Sequence, residues 1–203
     1  MRYTFIFFLF FSTISCNQKT FGTQEELLTY LQNEENGYLH KNTIHGIDIS
    51  VMYRPTDLLV FQELGDTITV GKIEELRNKY NKHLYFNLSF SHSNQELLSV
   101  LPKDRNEFGQ LVNRLAFGME GTMYLLSSKK DTLQMVDYIY PRLYGMSNAT
   151  SMMAVFPRED KALSGDFFHF IIQDFGLSTG ELRFKFLLSL LNDEPKIKFK
   201  PST

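Results

Sequence analysis

The chain has a single cysteine, Cys16, and no tryptophan among its 203 residues. A lone cysteine cannot close an internal disulfide, so the fold must be stabilised by its hydrophobic core. Long hydrophobic runs are missing too. The most apolar stretch, Phe5 to Phe11, is much shorter than the roughly 20 apolar residues that a helix needs to cross a bilayer. This stretch cannot span a membrane by itself.

The glycine-rich loops G-x-G-x-x-G and G-x-x-x-x-G-K, which bring backbone N–H groups to a phosphate, do not occur. Metal-binding spacings such as H-E-x-x-H are absent as well, although there are five histidines: His40, His45, His83, His92 and His169. We therefore expect no metal centre and no cofactor. Pairs of carboxylates leave no signature when they come from separate strands, so four remain open as acid–base candidates: Asp137, Asp166, Asp174 and Glu181.

Charge of one sign is concentrated only near the C-terminus. The formal net charge is −2 and both signs are dispersed along the chain, which argues against a nucleic-acid surface. The exception is KIKFK, in which Lys196, Lys198 and Lys200 alternate with apolar residues. This pattern predicts an edge strand with a solvated lysine face rather than a phosphate site.

The N-terminus carries an ordered series of features. Arg2 supplies a positive charge, Phe5 to Phe11 an apolar segment, and Ser12 to Ser15 a small and polar segment directly before Cys16. This order resembles a bacterial lipoprotein signal, whose lipobox places a small residue before a cysteine that is lipid-modified and becomes the new N-terminus. Thr13 departs from that pattern, because leucine is usual three residues before the cysteine.

The resemblance implies a signal peptide at 1–15 and a lipidated cysteine with a short tether at 16–22. The alternative is an ordinary signal cleaved near Ser15 that leaves Cys16 as a free thiol, which would be a liability in an oxidising compartment. We favour lipidation. Asn17 lacks the acidic charge that retains some Gram-negative lipoproteins in the inner membrane, so we expect a lipid-anchored protein of the cell envelope, in the outer membrane.

Residues 23–203 are expected to form a single domain. Thr23 and Glu26 make a capping box before a first helix, and apolar periodicity predicts two more helices at 72–81 and 104–117. The segment 57–64 fits both the helical and the strand period.

Strand patterns dominate elsewhere. A hairpin is predicted with its turn at His45-Gly46, and alternation predicts several strands from Gly121 onward. In the last of these, Phe184 and Phe186 should be buried and Lys185 exposed. The fold class predicted is α+β, with two or three helices packed on one face of an antiparallel sheet of about seven or eight strands.

Aromatic residues are abundant, with nineteen Phe and ten Tyr. The simplest interpretation is that they fill the core. The functional interpretation is a partner surface in the segment 137–153, with Tyr138, Tyr140, Arg142 and Tyr144 as its anchors. Pro141 lacks an N–H donor, so a strand should end, bulge or lie at a sheet edge there.

These observations favour a non-catalytic binding or assembly module whose partner is another envelope protein. One alternative is a carrier or sensor of an apolar small molecule, which would require a closed cavity lined by Phe. The second alternative is a hydrolase with a carboxylate site in a cleft, whereas an open apolar patch would favour the binding module.

Overall fold

The computed structural model describes residues 18–65, 68–143, 146–158, 161 and 163–200. The expected signal peptide, Cys16 and Tyr144 lie outside these described residues. Within them the chain forms six α-helices: α1 (Gln24–Gln32), α2 (Thr56–Leu64), α3 (Val70–Tyr80), α4 (Leu97–Val100), α5 (Arg105–Phe117) and α6 (Leu188–Asn192). The same residues form twelve strands: β1 (Thr20–Phe21), β2 (Leu39–Ile44), β3 (Ile47–Arg54), β4 (His83–His92), β5 (Gln95–Glu96), β6 (Met123–Ser127), β7 (Thr132–Gln134), β8 (Asp137–Ile139), β9 (Thr150–Pro157), β10 (Phe167–Ile172), β11 (Leu182–Leu187) and β12 (Lys196–Ile197).

Two helices begin at the capping residues that the sequence predicts. At α1 the Thr23 hydroxyl accepts the N–H of Glu26 at 3.2 Å, and the Glu26 carboxylate accepts the N–H of Gly22 at 2.8 Å. At α5 the Asp104 carboxylate accepts the N–H of Glu107 at 2.9 Å. These bonds satisfy N–H groups that the first turn of a helix leaves unpaired.

The ambiguous segment 57–64 lies in helix α2. Residues Thr56 to Val60 are all buried, because α2 packs against α1, α3 and β12. A helix that is covered on several sides has no polar stripe, and this is why the sequence of 57–64 did not show a clear helical period. Val60 and Leu64 form a small second core with Ile73 and Leu76 of α3.

The predicted hairpin is confirmed. Strands β2 and β3 are joined by His45 and Gly46, whose φ angles are 52° and 78°. Two successive positive φ angles are typical of a type I′ turn, whose twist matches that of a two-residue hairpin.

The α+β class is confirmed, but the strands do not form the single large sheet that was predicted. One sheet has the order β2-β3-β4-β9-β8, with β5 paired to the end of β4, and a second has the order β11-β10-β6-β7. All pairs in these two sheets are antiparallel, whereas β1 and β12 form a separate parallel pair. Alternation predicts that a strand has an apolar face, but it does not say which sheet the strand joins.

The two main sheets pack face to face around phenylalanine rings. The Phe86 ring of β4 lies 6.1, 5.1 and 5.4 Å from the rings of Phe168, Phe170 and Phe186 in the second sheet. Helices add leucines to the same core, including Leu27, Leu115 and Leu191. The apolar face of each sheet is therefore covered chiefly by the other sheet, and not by a layer of helices as predicted.

The strand β11 has the one-sided pattern that was predicted. Phe184 and Phe186 are 5% and 1% exposed, and Lys185 between them is exposed. The Lys185 ammonium lies 4.2 Å from the centre of the Phe167 ring on the outer face.

Candidate functional site

The strand β8 lies at the edge of the six-stranded sheet. Among the described strands it pairs with β9 alone, through Asp137–Val155, Tyr138–Ala154 and Ile139–Met153. Pro141 follows two residues after the strand ends at Ile139. The structure thus places a strand end at a sheet edge where the sequence predicted one.

The two described tyrosines of the expected surface pack inward. Tyr138 lies opposite Ala154, a fully buried residue, and its buried hydroxyl has no hydrogen-bond partner among the residues that the structure describes. Tyr140 is partly buried against the main core as well. Arg142 is exposed, and its guanidinium carbon lies 5.4 Å from the centre of the Phe117 ring. Tyr144 lies outside the described residues.

Two apolar side chains that the sequence interpretation missed are exposed at this edge. Val136 and Ile139 are 56% and 51% exposed. Ile139 lies on the outer face of β8, as Asp137 does, because the two residues are two positions apart in a strand. An isoleucine at that spacing from an aspartate was the feature of the sequence that could have predicted an exposed apolar side chain. An apolar residue on the polar face of a strand is the type of feature that a binding edge requires.

A cleft of about 770 Å³, which we name the β8 cleft, opens beside these residues. Its floor is the outer face of the sheet, with Tyr85, Met153 and Val155, and Leu59 and Tyr80 form a helical wall. Further residues at the cleft are Gln62, Glu63, His83, Val136, Asp137 and Ile139. The helical wall exists because α2 leaves β3 directly after Pro55 and packs against α3.

The polar groups at the helical wall are paired with one another. The Glu63 carboxylate accepts bonds from the Lys79 ammonium at 2.7 and 2.8 Å and from the Tyr80 hydroxyl. The bond from Lys79 lowers the pKa of Glu63, and burial raises the pKa of Tyr80 and of Tyr85. The helical wall therefore presents a Lys79–Glu63 ion pair and phenols whose pKa is raised, above the apolar floor.

A second polar site lies near the pair of strands β1 and β12, beside a cleft of about 240 Å³. The Asp57 carboxylate accepts two bonds from the Arg77 guanidinium, both at 2.7 Å. Glu194 accepts from the Tyr53 hydroxyl at 2.6 Å and from Arg158 at 3.2 Å. Both carboxylates are buried and each is bonded to an arginine. Asp57, Arg77, Tyr53, Arg158 and Glu194, which we name the clasp, therefore form a structural network and not a free acid–base couple.

Burial determines the ionisation of the clasp. It raises the pKa of Tyr53, which is fully buried, and Glu194 acts in the same direction. Burial opposes the charge of Arg158, but Tyr53 and Glu194 together raise the pKa of Arg158. The clasp thus holds a neutral phenol between a charged pair.

The peptide Gly176 to Gly180 has the spacing G-x-S-x-G, which marks the nucleophile of α/β-hydrolases. Here Ser178 lies in the loop between strands β10 and β11, with a φ of 58°, whereas the hydrolase motif requires a turn from a strand to a helix. The cleft beside Ser178 is lined by polar groups that include Lys103, Glu107 and Arg114, and no described histidine lines it. The structural context of a serine nucleophile is therefore missing.

Three of the four carboxylates that the sequence left as acid–base candidates bond to groups close to them in the chain. Asp137 accepts the N–H of Tyr138 at 2.8 Å, Asp174 accepts the N–H groups of its loop, and Glu181 pairs with Arg183 at 2.6 Å. Asp166 is exposed.

The histidines do not meet at a metal site. Among the described residues no group of three or more His, Cys, Asp or Glu side chains could hold a metal ion. Burial lowers the pKa of both His40 and His169. In the part of the chain that the structure describes, no helix has the length and apolar character needed to cross a membrane.

Comparisons with known proteins add a distant structural likeness. No family model matches the chain, and no curated protein matches its sequence. A solved structure of a DUF4426 family protein from Pseudomonas aeruginosa is similar to it with 9% sequence identity and a TM-score of 0.37, over 82% of this chain and 98% of that one.

Proposed function

We propose that this protein is a lipid-anchored binding module of the cell envelope that performs no catalysis. It captures an extended segment of another envelope protein along β8. The observation that carries the proposal is the open sheet edge with two exposed apolar side chains, Val136 and Ile139, beside the β8 cleft. An added strand bonds to a sheet edge through its backbone, and every second side chain of that strand enters the surface next to the edge.

The chemistry of the cleft suits such a partner. Tyr85, Met153 and Val155 offer apolar contact, and Tyr80 adds an aromatic ring at the wall. Tyr and Met are enriched in contact surfaces, because they give large areas that adapt to different shapes. We therefore expect the bound segment to present apolar side chains at alternate positions.

The interior of the sandwich favours this function over a carrier. The space between the sheets is occupied by phenylalanine rings with centres 5.1 to 6.1 Å apart around Phe86, which is the contact distance of packed aromatic pairs. The clefts described above open to solvent instead. An apolar ligand would have to displace these rings.

The proposed location in the cell rests on the resemblance of the N-terminus to a lipoprotein signal. In this proposal Cys16 carries the lipid and the domain is held at the outer membrane. The tether is shorter than the expected 16–22, because Gln18 is already bonded to Glu194 and Thr20–Phe21 pairs with β12. Cys16→Ala should release the protein from the membrane fraction or leave an uncleaved precursor, because the chain has no second thiol. A mutant that is processed normally and stays in the membrane fraction would refute the lipid anchor.

Replacing Ile139 tests the binding edge. Ile139→Glu puts a second carboxylate beside Asp137 and should remove the partner that co-purifies with the wild-type protein from native membranes. Leu187→Glu is the matched control, because Leu187 is 50% exposed and Ile139 is 51% exposed. Both variants should melt near the wild-type temperature. Retention of the partner by the Ile139 variant, or equal loss in both variants, would refute binding at β8.

A further inference from the structure

The described chain begins next to its C-terminal strand. Strands β1 and β12 pair in parallel, and the N–H of Lys196 donates to the carbonyl of Lys19 at 2.9 Å. The side-chain amide of Gln18 donates to the backbone carbonyl of Glu194 at 3.0 Å. Cys16 precedes Gln18 by two residues, which span at most about 7 Å when extended. A lipid on Cys16 would therefore bring this part of the domain close to the bilayer.

Three exposed lysines stand at this place: Lys196, Lys198 and Lys200, named here the lysine face. Ile197 between the first two is buried. The only carboxylates within residues 193–200 are Asp193, which is exposed, and Glu194, which is buried and bonded to Arg158. Three exposed lysines outnumber one exposed carboxylate, so the net exposed charge of this segment is positive.

Aromatic side chains accompany the lysine face. Phe199 is half-buried, and its ring centre lies 6.5 Å from that of Phe61, which is 39% exposed. The Arg77 guanidinium lies 5.4 Å from the Phe199 ring. Aromatic rings next to basic groups are typical of surfaces that lie at the headgroup level of a bilayer.

The clasp fixes this segment to the body of the domain. The Asp57 carboxylate, which Arg77 holds by two bonds, also accepts the N–H of Ile197 at 2.8 Å. Lys196 therefore lies in a strand that is bonded to α2, and Lys198 directly after it donates its N–H to the carbonyl of Phe21 at 2.8 Å.

From these contacts we infer that the lysine face docks on the anionic headgroups of the membrane that holds the lipid. Docking gives the domain one orientation on the membrane, whereas a lipid and tether alone would leave it free to rotate. Basic residues within a Debye length of an anionic surface are attracted to it, and the short connection from Cys16 keeps them within that range. This inference rests on the proposed lipid anchor.

The test uses the full lipidated protein in vesicles. Because the chain has no tryptophan, Phe199→Trp introduces a single indole beside the lysines. The protein is reconstituted into phosphatidylcholine vesicles and into vesicles in which one third of the lipid is phosphatidylglycerol, both with brominated acyl chains. Quenching of the indole reports its closeness to the bilayer, and sedimentation with the vesicles reports the anchor.

Quenching should be severalfold greater in the anionic vesicles and should fall to the neutral level when Lys196, Lys198 and Lys200 are all changed to Gln. The same changes at three lysines of other segments, Lys103, Lys129 and Lys130, should have little effect. Equal quenching in both vesicle types, with all forms sedimenting, would overturn the docking and leave the anchor intact. Failure to sediment with neutral vesicles would instead refute the anchor.

Discussion

Phe86 lies at the centre of the contact between the two main sheets. Its ring meets rings from β9, β10 and β11 at 5.1 to 6.1 Å, mostly at steep angles that place a ring edge near a ring face. Such pairs contribute beyond the apolar area they bury. The aromatic content of the sequence is therefore explained mainly by packing between sheets.

Truncation of one of these rings should be costly. Phe186→Ala removes contacts with Phe86 and Phe168 and should lower the free energy of unfolding by about 3–5 kcal/mol, from a total of about 5–15 kcal/mol expected for a domain. Lys185→Ala, on the exposed side of the same strand, should change it by less than about 0.5 kcal/mol. Urea unfolding followed by circular dichroism measures both. Equal and small effects would mean that β11 does not have a buried face.

His40 is packed edge-on against Phe186, with ring centres 4.5 Å apart. Burial lowers the pKa of His40, and the Gly37 backbone and the Glu34 carboxylate offset this only in part. The unfolded chain therefore takes up a proton near the ordinary histidine pKa of about 6.5, before the folded protein does. Stability due to this group is complete above that pH and is lost as the pH falls towards the folded pKa.

The variant His40→Gln should weaken this pH dependence. Between pH 7.5 and 5.5 its free energy of unfolding should fall less than that of the wild-type protein, as measured by urea titration at a series of pH values. Some dependence should remain, because burial lowers the pKa of His169 too. An unchanged slope would show that His40 is not the titrating group.

At the scale of elements, β8 lies at an open sheet edge, and one of its own side chains occupies one of its backbone N–H groups. The Tyr138 N–H is bonded to the Asp137 carboxylate at 2.8 Å. A side chain that occupies an edge N–H competes with any strand that would add there, and charged residues at edges protect sheets from unwanted pairing. Asp137 thus limits which strands can pair with β8.

Removing the Asp137 carboxylate should strengthen the binding of a partner that adds to the sheet as a strand. Asp137→Ala frees the Tyr138 N–H for a carbonyl of the partner, and we expect the dissociation constant of the co-purifying partner to fall severalfold. Asp166→Ala removes an equal charge from an exposed position elsewhere and serves as the control. Weaker binding by the Asp137 variant, measured by calorimetry, would show that the carboxylate itself contacts the partner.

At the scale of the whole molecule, local patterns were predictable and long-range pairing was not. Thr23 and Asp104 mark helix starts through short side-chain bonds, and the turn at His45-Gly46 follows from residue type. The division of the strands into two sheets depends on contacts between distant segments, which alternation does not encode. For this reason the sequence did not predict which side chains of β8 are exposed. Tyr138 and Ile139 are neighbours with apolar side chains in one strand, and only the assembled sheet determines which of them packs inward.

The β8 edge can be tested most directly by cross-linking in living cells. A photoreactive benzophenone amino acid is placed at Ile139 in the full-length chain, and at Leu187 in a control whose native side chain is equally exposed. We expect one discrete cross-linked product with an envelope protein at Ile139, which is lost when Val136 is also changed to Glu, and no such product at Leu187. No product at Ile139, or the same product at both positions, would contradict binding along β8.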